Sequence, residues 1–215
     1  MEKNPYNLQE AKAFLEAVID HRFRALFTLS ILSGLREGEA LALRWSDLDL
    51  EAGTIEVNNT LHRREGAWYF DSAKTASSNR TVSMVPLLMN VLAQHRESQR
   101  AERLLIGDYD KKDNPKGWVD SGVVFATHKG GPLLARNVLR SYTALIAKAG
   151  LRKQTYHDLR HACSRLLRES GAMSLDELSK FLGHASIQIT SDFYLHLSVE
   201  AQAKSMDKLQ DALTS

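Results

Sequence analysis

The sequence predicts a mainly α-helical domain with a small antiparallel β-sheet inserted early, an α+β fold. Three observations carry this. Stretches on both sides of the middle repeat their apolar residues at helical spacing and stop at glycines. The central stretch 53–85 alternates instead with a period of two, and a proline then opens a further helical run. The 215 residues are 43% hydrophobic and 25% charged, a balance that supplies a full core and a solvated surface.

Asn7, with Glu10 three residues on, makes a capping-box-like start for a helix reaching about residue 20. The apolar run "FRALFTLSILSG" predicts a second helix. Gly34 is its natural stop, because glycine takes the left-handed conformation without steric cost. A short helix follows from about Glu37 to Arg44. "GTIEVNNTL", "AWYFDSAK" and "RTVSMV" then alternate, predicting three short antiparallel strands. Pro86 suits a first helical position, whose N–H would be unbonded anyway, and it opens "PLLMNVLAQHRESQRAERLL". "GDYDKKDNPKGWVDSG" is polar and rich in turn formers, hence a loop, while "GVVFATHKGGP" predicts a brief strand and a turn. From about Ala135 the chain reads as successive helices broken at Gly150, Gly171 and Gly183. In "HASIQITSDFYLHL", Ser186 caps a further helix with Tyr194 in its last turns. Residues 198–215 form a C-terminal helical tail with Val199, Ala203, Met206, Leu209 and Leu213 on one stripe.

No apolar run approaches the roughly 20 residues needed to cross a bilayer, and polar residues interrupt the opening "MEKNPYNLQEAKAF", so it is no signal peptide. A cytoplasmic protein without a membrane partner is expected. The one cysteine, Cys163, excludes an internal disulfide, fits a reducing compartment and is expected as a buried thiol in "HDLRHACSRLLRESG". The net charge of +2 hides an asymmetry: between Lys129 and Arg168 stand nine basic residues against one acid, Asp158. A one-sided basic surface suits a polyanion, nucleic acid above all; a solvated face that meets nothing is the alternative.

Several residues can carry chemistry. Arg36 lies between a helix-ending glycine and a new helix start. In "HDLRH", His157 and Arg160 stand at i and i+3 on one helical face, where a guanidinium can fork two oxygens beside an imidazole. His184 follows a glycine break, ten residues before Tyr194, and Lys74 lies at a hairpin from which a long amine can reach across a groove. A tyrosine among apolar neighbours is by default a packing residue. Two arginines, a lysine, two histidines and a tyrosine are nevertheless the set that metal-free phosphoryl transfer from a phosphodiester requires. Arginines clamp nonbridging oxygens, a phenol oxygen attacks phosphorus, and a lysine or histidine protonates the departing oxygen.

The pieces "GLREGE", "AKTASSNRTV", "HDLRH", "LGH" and the tyrosine ten residues on, in that order, resemble the catalytic domain of the tyrosine recombinases, the phage and transposon integrase family. The resemblance spans nearly the whole chain and implies that family's catalytic-domain fold. It implies that Tyr194 attacks the scissile phosphate, giving a 3′-phosphotyrosine and a free 5′-hydroxyl. By the same resemblance Arg36 and Arg160 hold the phosphate, Lys74 protonates the 5′-oxygen, His157 assists proton transfer and His184 bonds a nonbridging oxygen. Glu39 would orient Arg36 without touching substrate. The implied reaction needs no metal and no cofactor. The implied partner is double-stranded DNA, bound by a homotetramer on paired sites, with accessory DNA-bending or directionality proteins possible.

Residues 1–215 are expected to be a single catalytic domain cut from a longer protein, without the N-terminal core-binding and arm-binding domains of relatives. Ala162 and Cys163 stand where many relatives carry a hydroxyl residue and an aromatic, a difference of packing rather than chemistry. Two other functions compete: a non-catalytic DNA-binding module, and a type IB-like topoisomerase that shares the tyrosine chemistry. A zinc site on His157 and His161 is disfavoured, because "HDLRH" lacks the glutamate of H-E-x-x-H and Cys163 has no partner cysteine.

Overall fold

The computed structural model describes residues 4–72, 79–171 and 173–183. Helices α1 (Leu8–Ala17), α2 (Arg24–Ser33) and α3 (Glu37–Ala42) come first. Strands β1 (Leu48–Asp49), β2 (Thr54–Val57), β3 (Asn59–Arg64), β4 (Ala67–Ser72) and β5 (Arg80–Ser83) follow. Helices α4 (Pro86–Ile106), α5 (Ala135–Lys148), α6 (Asp158–Glu169) and α7 (Leu175–Leu182) complete the order. This is the mainly helical domain with a small antiparallel component that the sequence predicts. The expected helix around Ser186 and the tail 198–215 lie outside the described residues.

Local chemistry sets most helix ends. Asn7 Oδ1 accepts from the Glu10 N–H and Glu10 Oε2 from the Asn7 N–H, each at 2.9 Å, so α1 opens with a reciprocal capping box. Helices α2 and α7 stop at Gly34 and Gly183, whose φ values of +62° and +68° are left-handed. Pro86 is at the start of α4.

The sheet differs from expectation. The stretch "GTIEVNNTL" is two strands, separated at Asn58, in two different sheets. Strand β2 pairs with β1 and β5, whereas β3 pairs with β4 in a two-stranded ribbon. Burial explains the division. Ile55 and Val57 point into the core, and Ile55 lies opposite Val82. Beyond Leu61 the ribbon residues His62, Arg63 and Arg64 are exposed and have no apolar face to dock. The strand expected in "GVVFATHKGGP" is replaced by isolated bridges, Arg44 to Val123 and Ala126 to Pro132. Val123, Val124 and Phe125 are consecutively buried rather than alternating, and backbone pairing stops at one bridge, where the Val124 N–H donates to the Leu43 carbonyl at 2.8 Å. The Val124 carbonyl meets His95 Nε2 at 2.8 Å and accepts from Gln99 Nε2 at 2.9 Å.

Helix α2 is the core element: Leu26, Phe27, Leu29 and Ile31 are all fully buried. Around Phe27 the rings of Phe14, Tyr142 and Tyr156 meet edge to face, with Tyr142 and Tyr156 centroids 5.6 Å apart. Ser30 Oγ donates its one proton to the Leu26 carbonyl at 2.8 Å, so its oxygen accepts from the Tyr156 hydroxyl, 2.5 Å away. That bond ties the residue before His157 to the central helix.

Candidate active site

Three arginines from three elements converge on the last carbonyls of α7. Arg80 Nε donates to the Phe181 carbonyl at 2.8 Å, Arg160 Nη2 to Leu182 at 2.7 Å, and Arg36 Nη2 to Gly183 at 3.1 Å. A helix end leaves its final carbonyls unpaired and carries partial negative charge, so it attracts cations. Here that attraction gathers guanidiniums supplied by the start of α3, by β5 and by α6.

Glu39 lies at the centre. It is the third residue of α3, and its Oε2 accepts from the Arg36 backbone N–H at 2.8 Å. Arg36 Nη1 reaches Oε1 at 2.8 Å, while the Arg80 fork reaches Oε1 at 3.2 Å and Oε2 at 2.9 Å. Four donors thus meet the roughly four lone-pair sites of one carboxylate. Burial alone would raise the Glu39 carboxyl, but the hydrogen bond and charge of Arg80, with those of Arg36, hold it below its ordinary value.

Arg160 is buried and spans the gap between two elements, with Nη1 on the Gly34 carbonyl at 2.6 Å and Nη2 on Leu182. Burial and the like charge of Arg36 pull its guanidinium down to about 9, against the pull of Glu39, so it stays protonated at neutral pH. Arg36, by contrast, leaves 41% of its side chain open to solvent. Three guanidiniums around one carboxylate leave a net charge of two positives, a surplus suited to an anion with several oxygens.

His157 is exposed at the N-cap of α6, one turn ahead of Arg160, with its ring 4.9 Å from that of His161. Among the described residues, no three His, Cys, Asp or Glu side chains gather as a metal site needs. Cys163 is buried, as expected, and burial pushes its thiol up to about 12. The basic stretch between Lys129 and Arg168 proves partly neutralised by ion pairs or buried. Arg152 bonds Glu10 at 2.8 Å, Arg165 bonds Glu169 at 2.7 Å, and Arg160 is buried. A cavity of about 470 Å³ lies elsewhere, lined by His21, Phe23, Val91, His95 and Phe125, and none of the three converging arginines lines it.

The structure therefore brings together Arg36, Glu39 and Arg160 and sets His157 on the same helix as Arg160. Lys74, His184 and Tyr194 lie outside the described residues. Arg80 was missed by the sequence reading, although a signal exists. Val82 is fully buried while Thr81 and Ser83 are exposed, so the two-residue strand period places Arg80 on the inward face of β5. A charge there requires a buried partner.

Gly34 fits the junction tightly. A Cβ would sit 2.7 Å from Leu182 Cδ2 and 3.3 Å from Cys163 Sγ, on a backbone with φ of +62°. Gly34→Ala is expected to cost about 2 kcal/mol through left-handed strain and overpacking. That corresponds to a melting temperature lower by about 4–8 °C in a chain of this size. An unchanged melting curve would show that the junction has slack.

The chain belongs to the phage integrase family, whose model matches residues 6–201. It is 32% identical over 212 residues to the XerC-like tyrosine recombinase of Caldanaerobacter subterraneus subsp. tengcongensis, covering 94% of this chain and 53% of that one. It is 28% identical over 207 residues to the ICEBs1 integrase of Bacillus subtilis, covering 95% and 54%. The chain thus spans about half the length of the curated relatives it matches. Its fold is shared with the Tn1549 transposon integrase solved in complex with transposon right end DNA (TM-score 0.76, 22% identity, 98% of this chain and 67% of that one). The crystal structure of XerA recombinase is similar too (TM-score 0.73, 22% identity, 97% and 65%).

Proposed function

We propose that this chain is the catalytic part of a site-specific DNA recombinase that breaks and rejoins strands through a covalent 3′-phosphotyrosine. The observation that carries this is the surplus of two positive charges where Arg36 and Arg80 bond Glu39 and Arg160 joins them at the end of α7, in a chain of the phage integrase family. Arg36 and Arg160 grip the nonbridging oxygens of the scissile phosphate, and each guanidinium has five N–H donors to divide between protein and phosphate. Tyr194 oxygen attacks phosphorus as the bond from phosphorus to the 5′-oxygen breaks. The phenol proton leaves by way of His157, Lys74 supplies a proton to the departing 5′-oxygen, and His184 bonds a nonbridging oxygen. A 5′-hydroxyl from a partner strand reverses the step, regenerating tyrosine and joining the strands.

The working assembly is a homotetramer on two duplexes, assisted by accessory DNA-bending or directionality proteins. It acts in the cytoplasm; no described helix is long and apolar enough to cross a membrane.

The test mixes the chain at low salt, where phosphate contacts hold it to DNA, with nicked duplexes of randomised sequence in excess EDTA. A denaturant-resistant DNA adduct, with a phosphate bonded to Tyr194, is expected. Binding without an adduct would favour a DNA-binding module. Loss of the adduct in EDTA with recovery in magnesium would refute phosphate neutralisation by arginine. Cleavage with relaxation of supercoils but no exchange between two sites would favour a topoisomerase.

A further inference from the structure

We propose that Arg80 is a positioning residue for the phosphate clamp, acting through Glu39 on Arg36 while fixing the end of α7. This rests on the recombinase reading given above, because it assigns Arg36 to the phosphate.

Arg80 is too enclosed to touch DNA: its side chain is 6% exposed, the same as Glu39. It nevertheless touches both halves of the site. Its fork takes both oxygens of Glu39, and its Nε takes the Phe181 carbonyl. Gly183 is packed directly over it, since a Cβ there would lie 2.9 Å from Nη1 and 3.1 Å from Cδ and Cζ. One buried side chain thus locks the α3 carboxylate to the turn that ends α7.

Two physical consequences follow for Arg36. The first is geometric. Arg36 is a long side chain with 41% of its surface in solvent, and its guanidinium is tied to Glu39 and to the Gly183 carbonyl. Arg80 bonds the first directly and braces the turn that carries the second, through the Phe181 carbonyl and its packing against Gly183. Fixing them before DNA arrives removes rotamer freedom from Arg36 that would otherwise be lost during reaction. The second is electrostatic. Glu39 carries one negative charge, and Arg80 faces it at 2.9 Å inside the protein. With Arg80 in place, more of the Arg36 charge is available to a phosphate. Lysine cannot replace this geometry, because one ammonium cannot present a planar fork and a third donor on the opposite edge.

The experiment compares wild type, Arg80→Lys, Arg36→Ala and the double variant, by two readouts. The first is independent of cleavage: the NMR order parameter of the Arg36 Nε–Hε bond in the free protein. In wild type it is expected near the rigid value of about 0.85, falling below about 0.6 in Arg80→Lys. The second is the rate of adduct formation on saturating DNA. Arg80→Lys should lose about 100-fold, as a misplaced clamp does. The double variant should be no slower than Arg36→Ala, because Arg80 acts through Arg36.

A mobile Arg36 with non-multiplicative rate losses supports the assignment. An Arg36 as rigid in Arg80→Lys as in wild type overturns it, as do multiplicative losses. If wild type forms no adduct, the recombinase reading fails, and the order parameter still decides whether Arg80 holds Arg36. Should Arg80→Lys not fold, Glu39→Gln severs the same link and is judged by the same two readouts.

Discussion

Tyr194→Phe will abolish the covalent DNA adduct while DNA binding persists, and Lys74→Ala will block cleavage in a way that sulfur repairs. The phenylalanine keeps the ring but removes the oxygen that would attack phosphorus, so no substrate chemistry can compensate. The lysine variant fails for a different reason. A 5′-oxygen is a poor leaving group unless it is protonated, and loss of a general acid costs about 10²–10⁴-fold in rate. Replacing the bridging 5′-oxygen with sulfur gives a leaving group of far lower pKa that departs without a proton. The phosphorothiolate substrate is therefore expected to restore adduct formation to Lys74→Ala and to leave Tyr194→Phe inert. The measurement is adduct yield over time on matched oxygen and sulfur substrates. If sulfur does not help a folded, DNA-binding Lys74→Ala, then Lys74 is not the acid, and His157 is the next residue to test with that substrate.

Arg160→Ala is expected to lose both stability and cleavage, and sulfur should rescue it poorly. The buried guanidinium is the donor to the carbonyls of Gly34 and Leu182, at 2.6 and 2.7 Å. Truncation leaves both acceptors without it and opens a void. At about 1–3 kcal/mol for each of the two buried groups left unpaired, the loss is about 2–6 kcal/mol. For a chain of this length the melting temperature should fall by about 4–24 °C. Cleavage should fall for a separate reason: charge developing on the phosphate meets one guanidinium instead of two, and a better leaving group does not supply the missing cation. Calorimetry and the oxygen–sulfur rate comparison separate the two effects. Arg160→Ala melting with wild type would show that water or neighbouring groups already satisfy those carbonyls. Full sulfur rescue would move Arg160 out of the phosphate clamp.

Short-range rules read the local framework of this chain from its sequence. The Asn7–Glu10 box, the Gly34 and Gly183 stops and the proline at the head of α4 depend on residues within about one helical turn of each other. Arg36, Glu39, His157 and Arg160 could be named because they stand in short motifs, and one of their contacts, Arg36 to Glu39, is itself only three residues long.

Tertiary structure decided the rest. The single alternating run at residues 53–61 gave no local reason to divide. It splits at Asn58 because β2 has a core to cover and the far end of β3 has none. Val123 to Phe125 has the composition of a strand, but its pairing stops at one bridge to Arg44, and α4 side chains take the Val124 carbonyl. Arg80 meets Glu39 across 41 residues of chain and Phe181 across 101, and Arg160 meets Gly34 across 126. No periodicity or cap reports such distances. They are set by the packing of α2 against α6 and of β5 against α7, which brings one helix end, one carboxylate and three guanidiniums into a single cluster. Burial then makes Glu39, Arg80 and Arg160 depend on protein partners, since those three cannot rely on water, while Arg36 keeps a solvent-facing side.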